Sequence, residues 1–419
     1  MKNIEKQYEY AKEYYAGLGI NTDKVLKKLE KIPVSIHCWQ GDDVVGFEES
    51  GSALGGGILA TGNFKGRARN LAELQQDIEK AFSLIPGAKK INLHPIYGDF
   101  KGKKVDRNAI TVDHFKSWAD WAESNSAGID FNPTPFSHIF AESGYTLSSK
   151  DKKIRDFWIE HTKRCREISN YFGKRLKKTC IFNLWIQDGS KDITLSKLEH
   201  RQILKDSLDE VFSIKYPESN IIDSLESKLF GIASESYVVG SHEFYLSYAV
   251  KNDKLITFDT GHFHPTELVS DKISAVLPYI KGIMLHLSRG IRWDSDHVTI
   301  LSDEVINIMR EIVISNALDK VYIGTDFFDA SINRIGAWVI GARAVIKALL
   351  FALLEPVSLI KKYESSGQLF ARLGLLEDTK TMPFGAVWNY YCSSQDMPQD
   401  LSWIDEVFKY EKDVLDARI

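Results

Sequence analysis

Polar and charged side chains recur where apolar segments of this chain end. Eight short runs of β-branched and apolar residues each finish in a group capable of chemistry: His37, His94, Asn132, Trp185, Glu226, Asp259, His286 and Asp326. A buried strand has no packing reason to end repeatedly in a carboxylate or an imidazole. Such groups hold divalent ions or transfer protons, so the pattern indicates a metal site or an acid–base site.

The densest group of these side chains lies in two motifs, FDTGHFHPTE and HLSRGIRWDSDH. Together the motifs contain Asp259, His262, His264, His286, Asp294, Asp296 and His297. Carboxylates and imidazoles without cysteine favour Mn²⁺ or Mg²⁺ over a structural zinc site. The set is larger than one ion needs, so we expect two adjacent ions. His264 and His297 are the least favoured ligands, because alternation points one of each neighbouring pair away from the site.

Glu226 and Lys228 lie two residues apart, so on an extended strand they share a face. A lysine beside a metal-bound carboxylate can polarise a carbonyl or stabilise an alkoxide. A surface ion pair is the alternative interpretation of the same two residues.

A glycine-rich segment follows the first apolar run. Eight of the 28 glycines lie between Gly41 and Gly66, in a spacing that matches neither a phosphate-binding loop nor a dinucleotide fingerprint. The segment is interpreted as a loop over the active face, and an irregular surface loop is the alternative.

The elements that must position these groups are eight strands with helices between most of them. The predicted strands are Val34–Trp39, Lys90–Pro95, Ala127–Asn132, Thr179–Ile186, Asn220–Glu226, Leu255–Asp259, Gly282–Leu287 and Val321–Asp326. The predicted helices are Asn70–Ser83, Thr111–Ser124, Asp151–Phe172, Ser196–Val211, Thr266–Tyr279 and Asp303–Ser315. Repeated strand–helix alternation predicts an α/β protein with a (β/α)8 barrel, whose strand ends meet at one rim. A doubly wound open sheet is the alternative, but no GxGxxG follows the first strand.

Two helical additions are expected around this barrel. Residues 1–33 form an amphipathic helical preface within a catalytic domain of residues 1–330. Residues 331–419 are predicted to be a helical extension without strands, in which candidate aromatic anchors are Trp338, Trp388, Tyr390, Tyr391 and Trp403. One barrel is not expected to cover these aromatics, so we predict subunit contacts there.

Composition narrows the partner classes. The 419 residues are 44% hydrophobic and 26% charged, and 53 basic against 57 acidic side chains give a net charge of −4. A balanced charge argues against nucleic acid or an anionic membrane as partner. The first residues are charged and contain no apolar run, so we expect no signal peptide there. The most apolar stretch, Ala344–Ile360, is too interrupted to be expected to span a bilayer. The four cysteines follow no CxxC spacing, so we expect reduced thiols and a cytoplasmic protein.

Long motifs then resemble one family, the bacterial L-rhamnose isomerases, over nearly the full length. They are SxHCWQGDDVxGFE, INLHxIY, FNPxxFSH, NxWIxDGxKD, ESKLFGI, DxGHFHPTE, HxSRxxRWDSDH and GxDFFDASINRIxAWVIG. The resemblance implies a (β/α)8 barrel with a C-terminal helical extension, a homotetramer, and a site design related to xylose isomerase. It implies L-rhamnose as substrate and the first step of L-rhamnose catabolism.

The resemblance also assigns roles to individual residues. A structural ion is held by Glu226, Asp259, His286 and Asp326, and a catalytic ion by His262, Asp294 and Asp296 with Asp259 bridging. Mn²⁺ is the expected ion, and Zn²⁺ or Co²⁺ is possible at the structural site. The substrate-binding residues are His94 and Trp185, with a pocket for the sugar methyl lined by Val44, Leu54, Ile58, Ile96, Tyr97 and Phe328. IASESY after ESKLFG and ILATGNF in the glycine-rich loop depart from the family pattern.

The implied chemistry is an aldose–ketose isomerisation by a metal-assisted 1,2-hydride shift. Lys228 stabilises negative charge developing on O1, and Asp326 or Asp296 holds the water that moves hydroxyl protons. Three alternative functions fit the sequence less well. A sugar epimerase needs paired glutamates, a barrel metallohydrolase carries HxH on its first strand, and an inactive sugar-binding protein would lose the ligands. Only Glu226 is a glutamate at a strand end, and the first strand carries only His37 in place of HxH.

Overall fold

The chain folds into a closed barrel of eight parallel strands. A computed structural model describes residues 2–48, 62–228, 236–291 and 296–418. Its strands are β1 (Val34–His37), β2 (Lys89–Leu93), β3 (Gly128–Phe131), β4 (Cys180–Leu184), β5 (Gly189–Ser190), β6 (Ile221–Glu226), β7 (Tyr237–Val238), β8 (Leu255–Asp259), β9 (Ile283–Leu287) and β10 (Val321–Thr325). The barrel runs β1-β2-β3-β4-β6-β8-β9-β10, and β10 pairs with β1. This closure confirms the predicted barrel and excludes the open sheet.

Each of the eight predicted strands matches one barrel strand, and most are shorter than predicted. The predicted strand Thr179–Ile186 is Cys180–Leu184 in the structure, and Trp39 belongs to a 3₁₀ turn, Cys38–Gly41. The polar residues at the ends therefore lie at or just beyond the last ladder hydrogen bonds, where the backbone turns into the loops of the rim. Between the strands, β5 and β7 form a separate antiparallel pair.

The helices around the barrel begin and end close to their sequence signals. They are α1 (Lys2–Gly17), α2 (Thr22–Leu29), α3 (Leu71–Phe82), α4 (Lys116–Ser124), α5 (Lys152–Leu176), α6 (Lys197–Val211), α7 (His242–Asn252), α8 (Val269–Val276), α9 (Asp303–Ile314), α10 (Arg334–Leu353), α11 (Val357–Ser365), α12 (Leu369–Asp378), α13 (Phe384–Ser393) and α14 (Ser402–Asp413). Asn70, Asp151 and Ser302 cap α3, α5 and α9 by accepting a backbone N–H. The six predicted helices and the helical preface are present, whereas α7 was not predicted.

Helix α10 occupies the place of the eighth barrel helix, in contact with α3, α9 and β1. It is long and apolar enough to cross a membrane, with a mean hydropathy of 1.7, but 83% of that window is buried inside the fold. The most apolar segment therefore begins ten residues before the predicted Ala344–Ile360 stretch. A domain boundary near residue 330 stays a prediction, and the contacts of α10 are those of a barrel helix.

Most of the aromatic anchors predicted for the C-terminal segment are covered by the chain itself. Trp338, Trp388 and Tyr391 are buried in the main core, and Tyr390 stacks on Tyr8 of α1 with ring centres 3.7 Å apart. The expectation that these aromatics lie exposed is therefore wrong, because α1 packs across α13. The large exposed apolar residues of this segment are Ile332, Leu369, Phe370, Leu373, Leu401 and Phe408.

The interior of the barrel changes from apolar to polar along its axis. Ile181, Leu255 and Met284 form a small apolar cluster of their own. Two residues further along the same strands come Asn183, Thr257 and His286, which are all buried and point the same way by alternation. A barrel interior is ordinarily filled by branched apolar residues. The polar half is therefore the part of the interior that supports a site.

An ionic cluster joins α5 to β6 and β8. Arg166 on α5 donates from Nε and Nη2 to the two carboxylate oxygens of Asp223 on β6, at 2.8 and 3.0 Å. Lys254, which precedes β8, places Nζ 2.6 Å from Asp223 Oδ2. All three residues are buried. The carboxylate is thus shared by two cations, and the cluster ties a helix to two strands.

Candidate functional site

Four of the predicted ligands converge at the carboxyl ends of neighbouring strands. Glu226 and Asp259 end β6 and β8, His286 is the fourth residue of β9, and Asp326 follows β10 directly. One possible ligand atom from each of these residues lies within 4.8 Å of the others. Strands β6, β8, β9 and β10 are consecutive neighbours in the barrel. The barrel thus brings together residues that are up to 100 positions apart in the chain.

The electrostatics of this cluster are those of a site that attracts a cation. His286 Nδ1 lies 3.1 Å from Glu226 Oε2 and 3.2 Å from Asp326 Oδ2. Burial lowers the pKa of His286, but these two carboxylates outweigh burial and raise it well above the ordinary value. Burial raises the pKa of Glu226, yet the neighbouring imidazoles hold it below its ordinary range. Burial raises the pKa of Asp326.

These residues fit a divalent metal ion. His286 Nδ1 is buried and, although it faces two carboxylates, makes no hydrogen bond with any residue that the structure describes. Two oxygens and a nitrogen about 3 Å apart without a directed hydrogen bond have the spacing of ligands that share one ion at roughly 2.1 Å. Three carboxylates with one imidazole form the donor set of a hard or borderline divalent cation.

His262, the predicted ligand of a second ion, lies beside this cluster. Its Nδ1 donates to the carbonyl oxygen of Ser227 at 2.9 Å, because a carbonyl can only accept. That bond leaves Nε2 as the nitrogen with a lone pair, 3.9 Å from Asp259 Oδ2. Metal-binding histidines commonly use their second nitrogen in this way. His264 is exposed and pairs with Thr266 instead.

Of the other two predicted ligands of the second ion, Asp294 and Asp296, the structure describes only Asp296. Asp294 lies outside the described residues. Asp296 is half-buried with a φ of 46°, and its carbonyl accepts from the backbone N–H of Phe328. Its place among the ligands of a second ion stays a prediction.

An aromatic wall stands next to the cluster. The Trp39 ring packs edge-on against His94 at 4.2 Å and stacks with Phe136 and Phe328 at 5.7 and 6.0 Å between ring centres. Trp39 Nε1 donates to His37 Nε2, so this imidazole nitrogen is an acceptor. Burial lowers the pKa of His37 well below its ordinary value, which keeps the ring neutral beside Asp326. Trp39 and Phe136 were not predicted as site residues.

Two predicted substrate-binding residues, His94 and Trp185, place polar atoms beside this aromatic wall. His94 Nδ1 lies 3.0 Å from Thr134 Oγ1, while its buried Nε2 has no hydrogen-bond partner among the described residues. Trp185, whose ring centre is 5.7 Å from that of Phe136, likewise has no described partner for Nε1. The Lys228 ammonium lies 5.1 Å from the centre of the Trp185 ring. His94, Trp185 and Lys228 thus flank the same aromatic group.

The residues predicted to surround a sugar methyl lie on loops after β1, β2 and β10. Val44, Ile96 and Tyr97 are buried, and Phe328 stacks on Trp39. The Tyr97 hydroxyl donates to Asp42 Oδ1 at 2.6 Å, so its polar end is already satisfied. Burial is the main cause that raises the pKa of Asp42 to about 7. Leu54 and Ile58 lie outside the described residues.

The backbone carrying Val44 is strained. Asp43 and Val44 have φ values of 63° and 66°, in the left-handed region that β-branched residues avoid. Their N–H groups both donate to the Trp39 carbonyl, and Arg334 holds the Asp43 carboxylate with two 2.7 Å bonds. Neighbouring contacts therefore impose a conformation that the sequence does not favour locally.

Sequence reasoning missed three polar residues below the ligands. Asn183, Thr257 and Ser224 are buried in the barrel, and Asn183 Nδ2 donates to Glu226 Oε2 at 2.5 Å. Strand alternation could have identified Asn183, since it lies two residues after Ile181 on the same face of β4. The bond to Glu226 crosses to another strand, and it becomes visible only with the register of the barrel.

Comparison with solved structures adds likenesses of fold. An L-ribulose 3-epimerase has a TM-score of 0.47 and 12% identity, covering 79% of this chain and 97% of its own. A putative xylose isomerase from Rhodospirillum rubrum has a TM-score of 0.46 and 7% identity, covering 75% and 98%.

Comparison with protein sequences is far closer. L-rhamnose isomerases of Rhodopirellula baltica and Bacteroides thetaiotaomicron are each 52% identical over 416 residues, or 99% of this chain and 97% and 99% of theirs. That of Enterobacter sp. is 52% identical over 415 residues, covering 99% of both chains. The family described as L-rhamnose isomerase (RhaA) matches residues 2–418. The chain therefore belongs to the L-rhamnose isomerase family.

Proposed function

We propose that this protein interconverts L-rhamnose and L-rhamnulose as a metal-dependent aldose–ketose isomerase, in the first step of L-rhamnose catabolism. The observation that carries the proposal is the convergence of Glu226, Asp259, His286 and Asp326 in a chain of this family. The family match disfavours the alternative of a sugar epimerase.

The proposed metal is Mn²⁺, with one or two ions in each subunit. Glu226, Asp259, His286 and Asp326 would hold the structural ion. His262, Asp294 and Asp296, with Asp259 shared, would hold the catalytic ion. Zn²⁺ or Co²⁺ is possible at the structural site, since imidazole and carboxylate ligands also suit these ions. When bound, such ions act as Lewis acids that orient and polarise adjacent sugar oxygens.

The residues of the chain then supply binding and proton transfer. Hydrogen moves with its electron pair from C2 to C1, and the proton of the C2 hydroxyl ends on O1, so atoms and charge balance. His94 Nε2 is placed to hydrogen-bond a sugar oxygen, and Lys228 to stabilise negative charge on O1. Asp326 or Asp296 would hold the water that carries the hydroxyl protons. A hydride shift needs no base at carbon.

The aromatic wall suits the less polar face of a sugar. Trp39, Phe136 and Trp185 pack in series, so a sugar bound beside them would be shielded from water. The proposed methyl pocket consists of Val44, Leu54, Ile58, Ile96, Tyr97 and Phe328. A buried methyl is worth about 0.8 kcal/mol, and an apolar pocket rejects an added hydroxyl only roughly 10²-fold. L-Mannose is therefore proposed as a slower substrate.

Assembly and location belong to the same proposal. We propose a cytoplasmic homotetramer that acts on a free sugar and has no nucleic-acid or membrane partner. The four cysteines are buried and free of disulfides, which suits a reducing compartment. Exposed leucine and phenylalanine side chains on α12 support contact with another subunit.

The test is ketose formation from L-rhamnose before and after chelation. Dialysis against EDTA should abolish isomerisation, and added Mn²⁺ should restore it. His286→Asn should lower kcat/KM by more than the roughly 100-fold that loss of an outer-shell partner brings. Full activity of the metal-free protein would refute the proposal.

A matched variant separates loss of a ligand from loss of a buried histidine. His200 on α6 is also buried, and its Nδ1 bonds the carbonyl oxygen of Ser148 outside the cluster. His200→Asn should keep wild-type activity per folded protein. Equal loss of activity in both variants would mean that packing, not metal binding, explains the effect of His286→Asn.

A further inference from the structure

A chain of hydrogen bonds runs through the barrel interior beneath Glu226. Thr257 Oγ1 donates to Asn183 Oδ1 at 2.6 Å, and Asn183 Nδ2 donates to Glu226 Oε2 at 2.5 Å. Ser224 Oγ lies 2.6 Å from Thr257 Oγ1. Since the Thr257 proton is used toward Asn183, Ser224 must be the donor in that contact. All the donors in the chain therefore point toward the carboxylate.

This hydrogen-bond chain is buried from solvent and crosses three strands. Ser224, Thr257, Asn183 and Glu226 are each at most 2% exposed. They lie on β4, β6 and β8, which are adjacent in the barrel. Donors aligned in a medium of low dielectric strengthen one another, and an unpaired polar atom there is costly. The hydroxyls therefore fix which way the Asn183 amide faces, and the amide fixes the rotation of Glu226.

The position of the accepting oxygen links this chain to the ligand cluster. Glu226 Oε2, which accepts from Asn183, is also the oxygen 3.1 Å from His286 Nδ1. A carboxylate oxygen has two lone pairs. One lone pair of Oε2 accepts from the Asn183 amide, and the other remains available on the side of His286 and Asp326.

We infer that Asn183, Thr257 and Ser224 are positioning residues that preset the Glu226 carboxylate for metal binding. The inference rests on the proposed metal centre. It assigns a function to polar residues at barrel positions that apolar side chains ordinarily fill. Outer-shell partners of this kind change metal affinity by about 10–100-fold when removed.

The experiment measures Mn²⁺ affinity by calorimetry on the purified full chain after chelation. Thr257→Val keeps the shape of the side chain and removes its hydroxyl, so Asn183 Oδ1 loses its donor. We expect the Mn²⁺ Kd to rise about 10-fold, while Thr257→Ser restores it to within twofold of wild type. At saturating Mn²⁺ the kcat of Thr257→Val should recover to the wild-type value, because the hydrogen-bond chain affects the affinity for Mn²⁺ rather than the reaction of the sugar.

A control variant removes an equally buried hydroxyl elsewhere. Thr162 on α5 is fully buried and donates to the Trp158 carbonyl at 2.7 Å. Thr162→Val should leave the Mn²⁺ Kd unchanged. Asn183→Leu is a second probe, expected to raise Kd further. If that variant fails to fold, the threonine series alone decides.

The outcomes distinguish the inference from the proposal beneath it. If wild-type protein binds no Mn²⁺, the proposed metal centre fails. If wild type binds Mn²⁺ and Thr257→Val binds it equally well, only the positioning role is overturned. The positioning role is also overturned if Thr257→Ser binds Mn²⁺ as weakly as Thr257→Val does. It is overturned as well if Thr162→Val weakens Mn²⁺ binding as much as Thr257→Val does. A lower melting temperature of the metal-free Thr257→Val protein with an unchanged Kd would also overturn it, since that is the effect of a purely structural bond.

Discussion

The ammonium of Lys228 lies 5.1 Å from the centre of the Trp185 ring, two residues beyond Glu226. If it stabilises charge on O1, that charge exists only as the reaction proceeds, so its loss affects kcat rather than KM. We predict that Lys228→Met lowers kcat for L-rhamnose by about 10²–10³-fold with KM nearly unchanged. Steady-state kinetics at saturating Mn²⁺ would measure both constants.

Lys272 provides the control for that substitution. Its ammonium also lies over an aromatic ring, 4.6 Å from the centre of Phe263, and pairs with Glu267. Lys272→Met should retain activity within twofold. A raised KM with unchanged kcat in Lys228→Met would instead show that Lys228 binds the ground state of the sugar.

How far the sequence predicts single residues depends on where their partners lie. Glu226, Asp259, His286 and Asp326 stand out because a charged residue at the end of an apolar strand has no packing role. Alternation along β4 can place Asn183 in the barrel interior but not assign its role, since its partners Thr257 and Glu226 lie on other strands and their alignment depends on barrel register. A local pattern cannot supply that register.

The attachment of α5 to β6 and β8 depends on one carboxylate, that of Asp223. Burial lowers the pKa of Lys254, and the carboxylate of Asp223 opposes that shift. Asp223→Asn would leave Arg166 and Lys254 buried together without an anion. We predict a loss of about 3–5 kcal/mol in the free energy of unfolding, measured by urea denaturation of the metal-loaded protein.

An exposed carboxylate, that of Asp206, provides the control for the substitution of Asp223. Asp206 on α6 pairs with Lys205 at 3.4 Å, and its side chain is 64% exposed. Asp206→Asn should change stability by no more than about 0.5 kcal/mol. If Asp223→Asn is equally mild, then water or a rearranged side chain compensates the two cations, and the cluster does not hold α5 in place.

Secondary structure could be predicted where the local pattern of apolar and polar residues determines it. Runs such as Leu255–Asp259 are apolar because both faces of a barrel strand are buried, and that signal survives without any tertiary information. Helix α7 was missed. Of its eleven residues Tyr245, Tyr248 and Ala249 are buried, so its core-facing stripe is narrow and consists partly of tyrosines.

The surface of the molecule carries an apolar face on α12 that the described residues leave uncovered. Leu369, Phe370 and Leu373 are 56%, 91% and 63% exposed, and no residue of α12 is buried. We predict that Phe370→Asp combined with Leu373→Asp converts the proposed tetramer into smaller species. Light scattering coupled to gel filtration at micromolar concentration measures this.

Tyr279 supplies the control for assembly. It follows α8 and is 74% exposed, and single exposed aromatics are ordinary on protein surfaces. Tyr279→Asp should leave the mass in solution unchanged. A wild-type protein that is already monomeric would contradict the predicted homotetramer directly.

Assembly also shows what sequence cannot predict at this scale. Tyr390 and Trp388 have the same apolar character as Phe370, yet α1 and the barrel cover the first two and leave the third exposed. Which aromatic residues face solvent is decided by packing between distant parts of the chain. Composition alone therefore indicated a segment that carries exposed apolar side chains but named the wrong side chains within it, and the subunit contact itself stays a prediction.

The left-handed pair Asp43–Val44 bears on how this enzyme could be engineered. A valine in that conformation is unfavourable by roughly 1–3 kcal/mol, a large fraction of the net stability of most proteins. Selection for heat tolerance would therefore favour glycine or asparagine at position 44. The same substitution removes a fully buried side chain from the proposed methyl pocket. Variants evolved for industrial temperatures should thus drift toward broader sugar acceptance at this position, unless the selection also demands discrimination between L-rhamnose and L-mannose.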